Sequence, residues 1–328
     1  MNTLIDTYGR VHRNLRVSLT DRCNLRCTYC MPNDFAAWLP SDHQLTTDEL
    51  VRVIEIAVKE GINEVRLTGG EPLLRPDIVE IVARINAIEN APTLTMTTNA
   101  LTLEKVAKPL ADAGLTRINI SLDTLDRDRF KLMTHRDRID DVFAGIKAAQ
   151  DAGINPIKIN AVLLKGLNAD EAPALLDWAL TNNLALRFIE QMPLDAGGIW
   201  ERSSLVTADD IYADLSQKYE LTPCDGRGSS PAEEFFVNGG PATVGIIGSV
   251  TRPFCGACDR LRLTSDGQLR SCLFSLEEMD LRTAMRNGAS DEDIAARFRK
   301  TVAGKLPGHG INDPKFIQPQ RPMSAIGG

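Results

Sequence analysis

Cysteines are the residues of this sequence best suited to unusual chemistry, and six of the seven fall into two groups of three. The first triad is Cys23, Cys27 and Cys30, and the second triad is Cys255, Cys258 and Cys272. Thiolates are soft ligands that suit zinc or iron-sulfur clusters. An odd cysteine count, in a chain of 328 residues whose first segment lacks the apolar stretch of a secretory signal, argues against a disulfide framework. We therefore predict metal or cluster ligation by both triads.

Each triad is one ligand short of closing a tetrahedral site. Three cysteines around a cluster of four irons would leave one iron without a protein ligand, and such an iron can bind a substrate or cofactor. A structural zinc site is the alternative for the first triad. For the second triad the alternative is a zinc knuckle that Cys224 or His309 completes.

The elements that must position the first triad follow a regular alternation. Apolar or β-branched runs are each followed by a segment with helical spacing, which implies parallel strands with helical crossovers. Six such units favour an incomplete (β/α)6 TIM-like barrel over a closed barrel of eight units. The first triad comes directly after the first strand, where barrel active sites are built. The six predicted strands are 15–19, 65–68, 94–98, 117–122, 156–163 and 184–190.

The pattern changes at residues 222–231, which are rich in Pro, Gly and Ser. We predict a partial barrel over residues 1–222 and a smaller C-terminal α+β domain over residues 223–328 that carries the second triad. Short strands are expected at 234–237, 243–247, 261–264 and 268–270, with a hairpin signal at Asp266-Gly267, and helices at 276–286 and 291–303. An extended tail ends in Gly327 and Gly328.

The overall charge argues against a protein that binds nucleic acid or membranes. The chain has 37 Lys and Arg against 44 Asp and Glu, a net charge of −7, and no apolar run long enough to span a membrane. We predict a cytoplasmic protein that binds neither nucleic acid nor membrane.

Cations nevertheless lie on the predicted barrel strands. Arg16, Arg66, Lys158 and Arg187 are there, and Arg260 and Arg262 alternate along one C-terminal strand and so share a face. Buried cations need an anion, and a bound polyphosphate would supply one. The alternative is that some of them pair with Glu64, Glu71 or Glu190, or point outward between the helices.

A second motif accompanies the first triad, namely Gly69-Gly70-Glu71-Pro72 at the end of the second strand. Two glycines there would allow a ligand to approach the backbone, and Glu71 could accept an ammonium group. Together these motifs resemble the radical S-adenosylmethionine (SAM) superfamily. The resemblance implies that the first triad holds a [4Fe-4S] cluster, that SAM chelates the open iron, and that reduction of SAM yields methionine and a 5'-deoxyadenosyl radical.

The resemblance extends over the whole chain. With both triads, Ser121-Leu122-Asp123, the run from Phe188 to Pro193 and the terminal Gly-Gly, the sequence is similar to the radical SAM enzymes that cyclise GTP in the first step of molybdenum cofactor (molybdopterin) biosynthesis. This implies a lyase that makes (8S)-3',8-cyclo-7,8-dihydroguanosine 5'-triphosphate. The radical would abstract the ribose 3' hydrogen, and the sugar radical would add to guanine carbon 8. The cofactors would be two [4Fe-4S] clusters and SAM, and the open iron of the second would bind the guanine edge.

The same resemblance implies the roles of individual residues, with no catalytic side chain beyond the cluster and the SAM radical. Tyr29, Gly70, Ser121 and Met192 would contact SAM. Arg16, Arg66, Thr97, Lys158, Arg187, Arg260 and Arg262 would contact GTP. Gly327 and Gly328 would reach into the active site, whereas the alternative is a frayed end.

The resemblance also implies partners, and it leaves alternatives. A homodimer is expected, and the product would pass to cyclic pyranopterin monophosphate synthase; the reductant is not indicated.

A different radical SAM enzyme, with a fully ligated auxiliary cluster, is the second hypothesis for the function. A non-catalytic zinc or electron-transfer protein is the third.

Overall fold

The computed structural model describes residues 3–31, 38–195, 198 and 200–327. Its described strands form a single 12-stranded sheet. The strands are β1 (Asn14–Ser18), β2 (Glu64–Thr68), β3 (Thr93–Thr98), β4 (Arg117–Ser121), β5 (Ile157–Val162), β6 (Ala185–Ile189), β7 (Leu221–Pro223), β8 (Glu233–Val237), β9 (Thr243–Ile247), β10 (Arg260–Leu263), β11 (Gln268–Arg270) and β12 (Met279–Asp280).

Helices connect the first six strands, which pair in parallel and in chain order. The predicted strand-helix alternation is therefore confirmed. None of the helices in the described ranges is long and apolar enough to cross a membrane. The helices are α1 (Thr47–Lys59), α2 (Ile78–Asn86), α3 (Ala107–Asp112), α4 (Arg127–Thr134), α5 (Ile139–Asp151), α6 (Ala172–Thr181), α7 (Ala208–Ser216), α8 (Arg282–Arg286), α9 (Asp291–Ala303) and α10 (Met323–Ile326).

Local signals account for much of this layout. Helix α1 begins with a capping box, in which the Thr46 side chain accepts from the Glu49 N–H and the Glu49 carboxylate accepts from the Thr46 N–H. Helix α4 was not predicted from the sequence. Its N-cap Asp126 accepts from the Arg129 N–H, a capping signal that helical spacing of apolar residues does not reveal.

Alternation along the strands separates the packed layer from the barrel interior. In β1, Leu15 and Val17 are buried in the core beneath the helices, while Arg16 between them faces the interior cavity. In β3, Leu94 and Met96 pack in the same core. The interior of the barrel is therefore an open space lined by Arg16, whereas the space between sheet and helices is filled with apolar side chains.

The C-terminal strands extend both edges of the barrel sheet. Strand β10 pairs in parallel with β1, and β9 pairs in parallel with β6. Beyond them, β11 and β12 lie antiparallel at one end, and β8 and β7 at the other. The sheet order runs from β12 to β7 without closing, so the incomplete barrel is confirmed. The predicted division at residue 222 falls within β7 and stays a prediction.

Candidate functional site

The first triad lies at the mouth of the barrel, after β1. Cys23, Cys27 and Cys30 line one cavity of about 290 Å³, together with the residues that end β2, β3 and β4. Burial raises the pKa of Cys23 to about 11 and that of Cys30 to about 12, and it also raises the pKa of Cys27. Such thiols become thiolates only beside a positive centre, so this donor set fits an iron-sulfur cluster.

The glycines of the Gly-Gly-Glu turn hold the cysteine loop by close backbone contact. A Cβ atom on Gly70 would lie 2.3 Å from the Arg22 carbonyl oxygen, and one on Gly69 would lie 2.5 Å from that of Thr20. The Gly70 N–H donates to the Thr20 carbonyl at 2.7 Å. The absence of side chains thus leaves room for the stem of the cysteine loop, and the approach of a ligand to the backbone of these glycines stays a prediction.

Glu71, predicted as a receptor for an ammonium group, lines the same cavity and forms hydrogen bonds within the chain. Its buried carboxylate accepts from the Thr98 hydroxyl at 2.6 Å, the Asn99 N–H at 2.7 Å and the Leu73 N–H at 3.0 Å. Burial raises its pKa to about 7. The carboxylate therefore joins the turn after β2 to the end of β3, and its hydrogen-bonding capacity is largely used within the chain.

All four residues predicted to contact SAM line the cavity of the first triad: Tyr29, Gly70, Ser121 and Met192. The Tyr29 hydroxyl donates to Asp123 Oδ2 at 2.7 Å, and Asp123 Oδ1 accepts from the Val162 N–H at 2.9 Å. Burial raises the pKa of Asp123 to about 6. Asp123 was quoted in a motif but had no assigned role; the structure shows that it positions Tyr29.

A second cavity of about 390 Å³ continues through the barrel toward the amino ends of the strands. Arg16, Arg66, Arg187 and Arg260 line both cavities. Thr97 and Arg262 line the first cavity, and Lys158 lines the second. All seven residues predicted to contact GTP therefore line one or both of these two neighbouring cavities.

The interior cations are largely without counter-ions. Burial lowers the pKa of Arg66 to about 10, with Arg187 and Arg260 adding repulsion, and burial and neighbouring arginines likewise lower the pKa of Arg16. Within the described ranges only Arg187 among the seven forms an ion pair, with Glu234 at 2.7 Å. Its partner is thus none of the glutamates named from the sequence. A buried cluster of like charges needs an anion, and this favours a bound polyphosphate.

Two of these arginines also have free hydrogen-bonding capacity. Arg16 Nε, and both Nε and Nη2 of Arg260, are buried without a hydrogen-bond partner in the part of the chain described. The Arg260 guanidinium lies over the Phe254 ring, 4.4 Å from its centroid. These oriented donors can bind phosphate or base oxygens.

The second triad flanks the β10–β11 hairpin. Cys255 and Cys258 bracket a short 3-10 turn before β10, and Cys272 follows β11. Burial raises the pKa of Cys255, and the neighbouring Cys272 and Cys258 raise it further. Burial also acts against ionisation of Cys258, but Arg260 and Lys305 outweigh it and bring the pKa to about 7. The three thiols thus form one group beside Arg260.

Of the two partners suggested for a zinc knuckle, His309 has both ring nitrogens engaged elsewhere. His309 Nε2 lies 3.0 Å from the Ser249 carbonyl oxygen, and His309 Nδ1 accepts from the Ile311 N–H at 3.1 Å. Cys224 directly follows β7, and its N–H donates to the Glu234 carbonyl. Across the described residues, no three His, Cys, Asp or Glu side chains are grouped so as to hold a single metal ion.

The C-terminal tail enters the barrel mouth. Arg262 donates to the Gly327 carbonyl oxygen. Gly327 has a φ of +88°, and a Cβ atom there would lie 2.6 Å from Thr68 Oγ1 and 3.0 Å from Ser18 Cβ. Ser324 donates through its backbone to Cys30. The tail is therefore inserted up to Gly327, and Gly328 lies outside the described residues.

Sequence reasoning missed several polar residues that hold the site together. Glu190, considered from the sequence only as an ion-pair partner for the barrel cations, is fully buried and accepts from the N–H groups of Ala208, Val250 and Thr251. Lys305 contacts the second triad, although nothing in its local sequence indicates this. When a buried residue contacts a segment that is distant in the sequence, no local sequence pattern indicates the contact.

Comparison with known proteins agrees with this geometry. Residues 17–179 match the Radical SAM superfamily, and residues 184–311 match the Molybdenum Cofactor Synthesis C family. The fold is similar to that of Streptococcus suis SuiB bound to S-adenosylmethionine, with a TM-score of 0.65 at 15% identity, over 96% of this chain and 77% of that one. The fold and the first triad thus define a radical SAM enzyme, with an iron-sulfur cluster and SAM as cofactors.

Full-length relatives identify the family. A GTP 3',8-cyclase of Streptomyces coelicolor is 58% identical over 100% of this chain and 97% of its own length. One of Mycolicibacterium smegmatis is 54% identical over 99% of this chain and 92% of its own. The chain belongs to the GTP 3',8-cyclase family, which acts in molybdenum cofactor biosynthesis.

Proposed function

We propose that the protein converts GTP to (8S)-3',8-cyclo-7,8-dihydroguanosine 5'-triphosphate inside the barrel. The observation that carries this proposal is that Arg16, Arg66 and Arg260, which form no ion pair among the described residues, line both the cavity of the first triad and the cavity next to it. Cofactor and nucleotide would meet within these cavities. Both reacting partners would thereby be held close together, which favours ring closure over radical quenching.

At the mouth of the barrel, Cys23, Cys27 and Cys30 would hold a [4Fe-4S] cluster. With SAM bound, this cluster supplies the 5'-deoxyadenosyl radical that abstracts the ribose 3' hydrogen. Tyr29 and Met192 would pack against SAM; Gly70 and Ser121 would present backbone and hydroxyl groups to it. Asp123 keeps Tyr29 in place through the 2.7 Å hydrogen bond.

Toward the amino ends of the strands, the cations would bind the triphosphate. Lys158 lines only the second cavity, whereas Thr97 and Arg262 line only the first. The triphosphate would therefore point toward Lys158, and the ribose toward Thr97 and the first triad. Arg66 and Arg187, which line both cavities, would contact the nucleotide between these ends.

The second triad would hold a second [4Fe-4S] cluster with one open iron that faces guanine. The position of Cys258 beside Arg260, which lines both cavities, supports this assignment. Arg260 and Arg262 would orient the base, and the tail at Gly327 and Gly328 would help to exclude water from the barrel mouth. We further propose a homodimer, and delivery of the product to cyclic pyranopterin monophosphate synthase.

Anaerobic turnover tests the proposal. The protein is reconstituted with iron and sulfide, supplied with SAM, GTP and dithionite, and assayed for 5'-deoxyadenosine and cyclised guanosine triphosphate. We expect the two products in equal amounts. SAM cleavage without a change in GTP would overturn the substrate assignment and favour another radical SAM reaction.

The nucleotide site is tested separately by binding. Lys158→Gln should weaken GTP binding by about tenfold, because a charge-assisted contact to phosphate contributes roughly 1.5–3 kcal/mol. The control is Lys147→Gln, an exposed lysine on α5 that pairs with Asp151. Equal GTP affinity in the two variants would contradict the proposed direction of the triphosphate.

A further inference from the structure

The segment that follows α9 lies against the second triad. Lys305 is only 4% exposed, although it carries a charge. Its ammonium group donates to the Arg260 carbonyl oxygen at 2.6 Å and to Cys258 Sγ at 3.8 Å. The side chain therefore connects the strand that carries the substrate-facing arginines to one of the three thiols.

The same segment contacts a second cysteine of the triad. The His309 N–H donates to Cys255. Gly308 packs against the same residue, since a Cβ atom there would lie 3.7 Å from Cys255 Cβ. Residues 305–309 thus supply hydrogen-bond donors to two of the three thiols.

The N-terminal segment fixes residues 305–309 in this position. Arg10 donates to the Cys255 carbonyl at 2.8 Å, to the Leu306 carbonyl at 2.7 Å and to the Pro307 carbonyl at 3.1 Å. Asp6 holds the Arg10 guanidinium at 2.6 Å. The donors therefore approach the thiols from a rigid support.

The charge of Lys305 has no carboxylate to balance it. Among the described residues no Asp or Glu lies within ion-pair distance of its ammonium group, and the nearby charged side chains Arg10 and Arg260 are cations. A buried cation requires an anionic partner. The thiolates of the second triad, and a cluster bound to them, are the anions within reach.

We propose that Lys305 is a positioning residue for the second cluster, and that its ammonium group raises the reduction potential of that cluster. The inference rests on the second cluster of the proposed function. The step concerned is the transfer of one electron from a low-potential one-electron donor to the oxidised cluster, in which no bond forms or breaks. A cation that donates to a ligand sulfur stabilises the reduced, more negative state.

The test measures a potential on full-length protein. The substitutions Cys23→Ser, Cys27→Ser and Cys30→Ser together leave the second cluster as the only one, and its midpoint is followed by EPR during titration with dithionite. Lys305→Met should make reduction about tenfold less favourable, a shift of about 59 mV to more negative potential for one electron. Lys305→Arg should retain most of the parent potential, because it keeps the charge.

Matched variants separate the possible outcomes. Lys300→Met removes an exposed lysine from the end of α9 and should leave the potential unchanged. Lys305→Gln removes the charge but keeps a hydrogen-bond donor for the Arg260 carbonyl. It therefore replaces the Met variant in the measurement of the potential if the Met variant does not fold. A fully loaded cluster with unchanged potential in the Met or Gln variant overturns the role of Lys305. Absence of iron from the parent triple variant would instead overturn the second cluster itself.

Discussion

Arg321 Nη2 lies 2.8 Å from Asp266 Oδ2 and so fastens the C-terminal segment to the turn between β10 and β11. Arg321 also pairs with Glu278 at 2.7 Å. These contacts come six residues before Gly327, which is held by Arg262 from the same hairpin. The hairpin that carries the substrate-facing arginines therefore also holds the tail in the barrel mouth.

Arg321→Ala should loosen the tail. Loss of a partly buried pair costs roughly 1–3 kcal/mol, so amide exchange of residues 323–327 should become about tenfold faster or more, and product formation should fall. Hydrogen exchange by mass spectrometry measures this directly. Lys315→Ala, an exposed change in the same segment, is the control. Equal exchange in the two variants would show that the ion pairs do not hold the tail.

Gly70→Ala should abolish the first cluster while leaving the second. The new Cβ atom would lie 2.3 Å from the Arg22 carbonyl, so the cysteine loop has to move. Iron should fall from about eight to about four atoms per chain, as expected for loss of one of two four-iron clusters. Gly304→Ala is the control, because the Lys300 carbonyl oxygen, the nearest atom to its Cβ position, lies at an ordinary contact distance of 3.7 Å. Full iron content in Gly70→Ala would refute the packing argument.

Asp6→Asn should destabilise the protein by about 3–5 kcal/mol, since it removes the negative partner of a buried charge. The fully buried Asp6 carboxylate pairs with Arg10 at 2.6 Å and with His12 at 3.0 Å. Asp112→Asn removes the partner of Lys108 in a pair that is more than half exposed, and should cost about 0–1 kcal/mol. Urea denaturation compares the two variants, and similar losses would contradict the assigned burial.

Glu71 should make stability depend on pH. Burial raises its pKa from 4.5 to about 7, so between these values the folded chain binds more protons than the unfolded chain. The contribution of Glu71 to the free energy of unfolding is complete below pH 4.5 and is lost as the pH rises through 7. The loss is on the order of 3 kcal/mol, because one pKa unit corresponds to about 1.4 kcal/mol.

The variant Glu71→Gln tests this dependence. Between pH 5 and pH 8, the free energy of unfolding of the cluster-free protein should fall less steeply with pH in this variant than in the parent. Urea denaturation under anaerobic, reducing conditions provides the measurement. The exposed Glu89→Gln should retain the parent slope. An unchanged slope in Glu71→Gln would mean that Glu71 does not titrate in this range.

The barrel could be predicted from apolar periodicity and residue spacing, because these patterns depend only on residues that are close together in the chain. Apolar runs followed by segments with helical spacing predicted the six barrel strands, and the cysteine spacing predicted the two triads. Helix α4 was not predicted because few of its residues are buried apolar side chains, namely Phe130 and Met133. The close contact of Gly70 with the Arg22 carbonyl could not be predicted for a different reason, since the identity of a close neighbour depends on how two loops pack.

The sequence by itself determined which residues are available for chemistry and which face of each strand they occupy, because cysteine spacing and strand alternation are local properties of the chain. Only the tertiary structure decided that β10 pairs with β1 and β9 with β6, which brings the second triad and its arginines to the barrel. Asn14 and Arg260 become register partners although they are far apart in the chain. The free edges of a sheet hydrogen-bond through the backbone, so side-chain patterns do not specify which distant strand will join them.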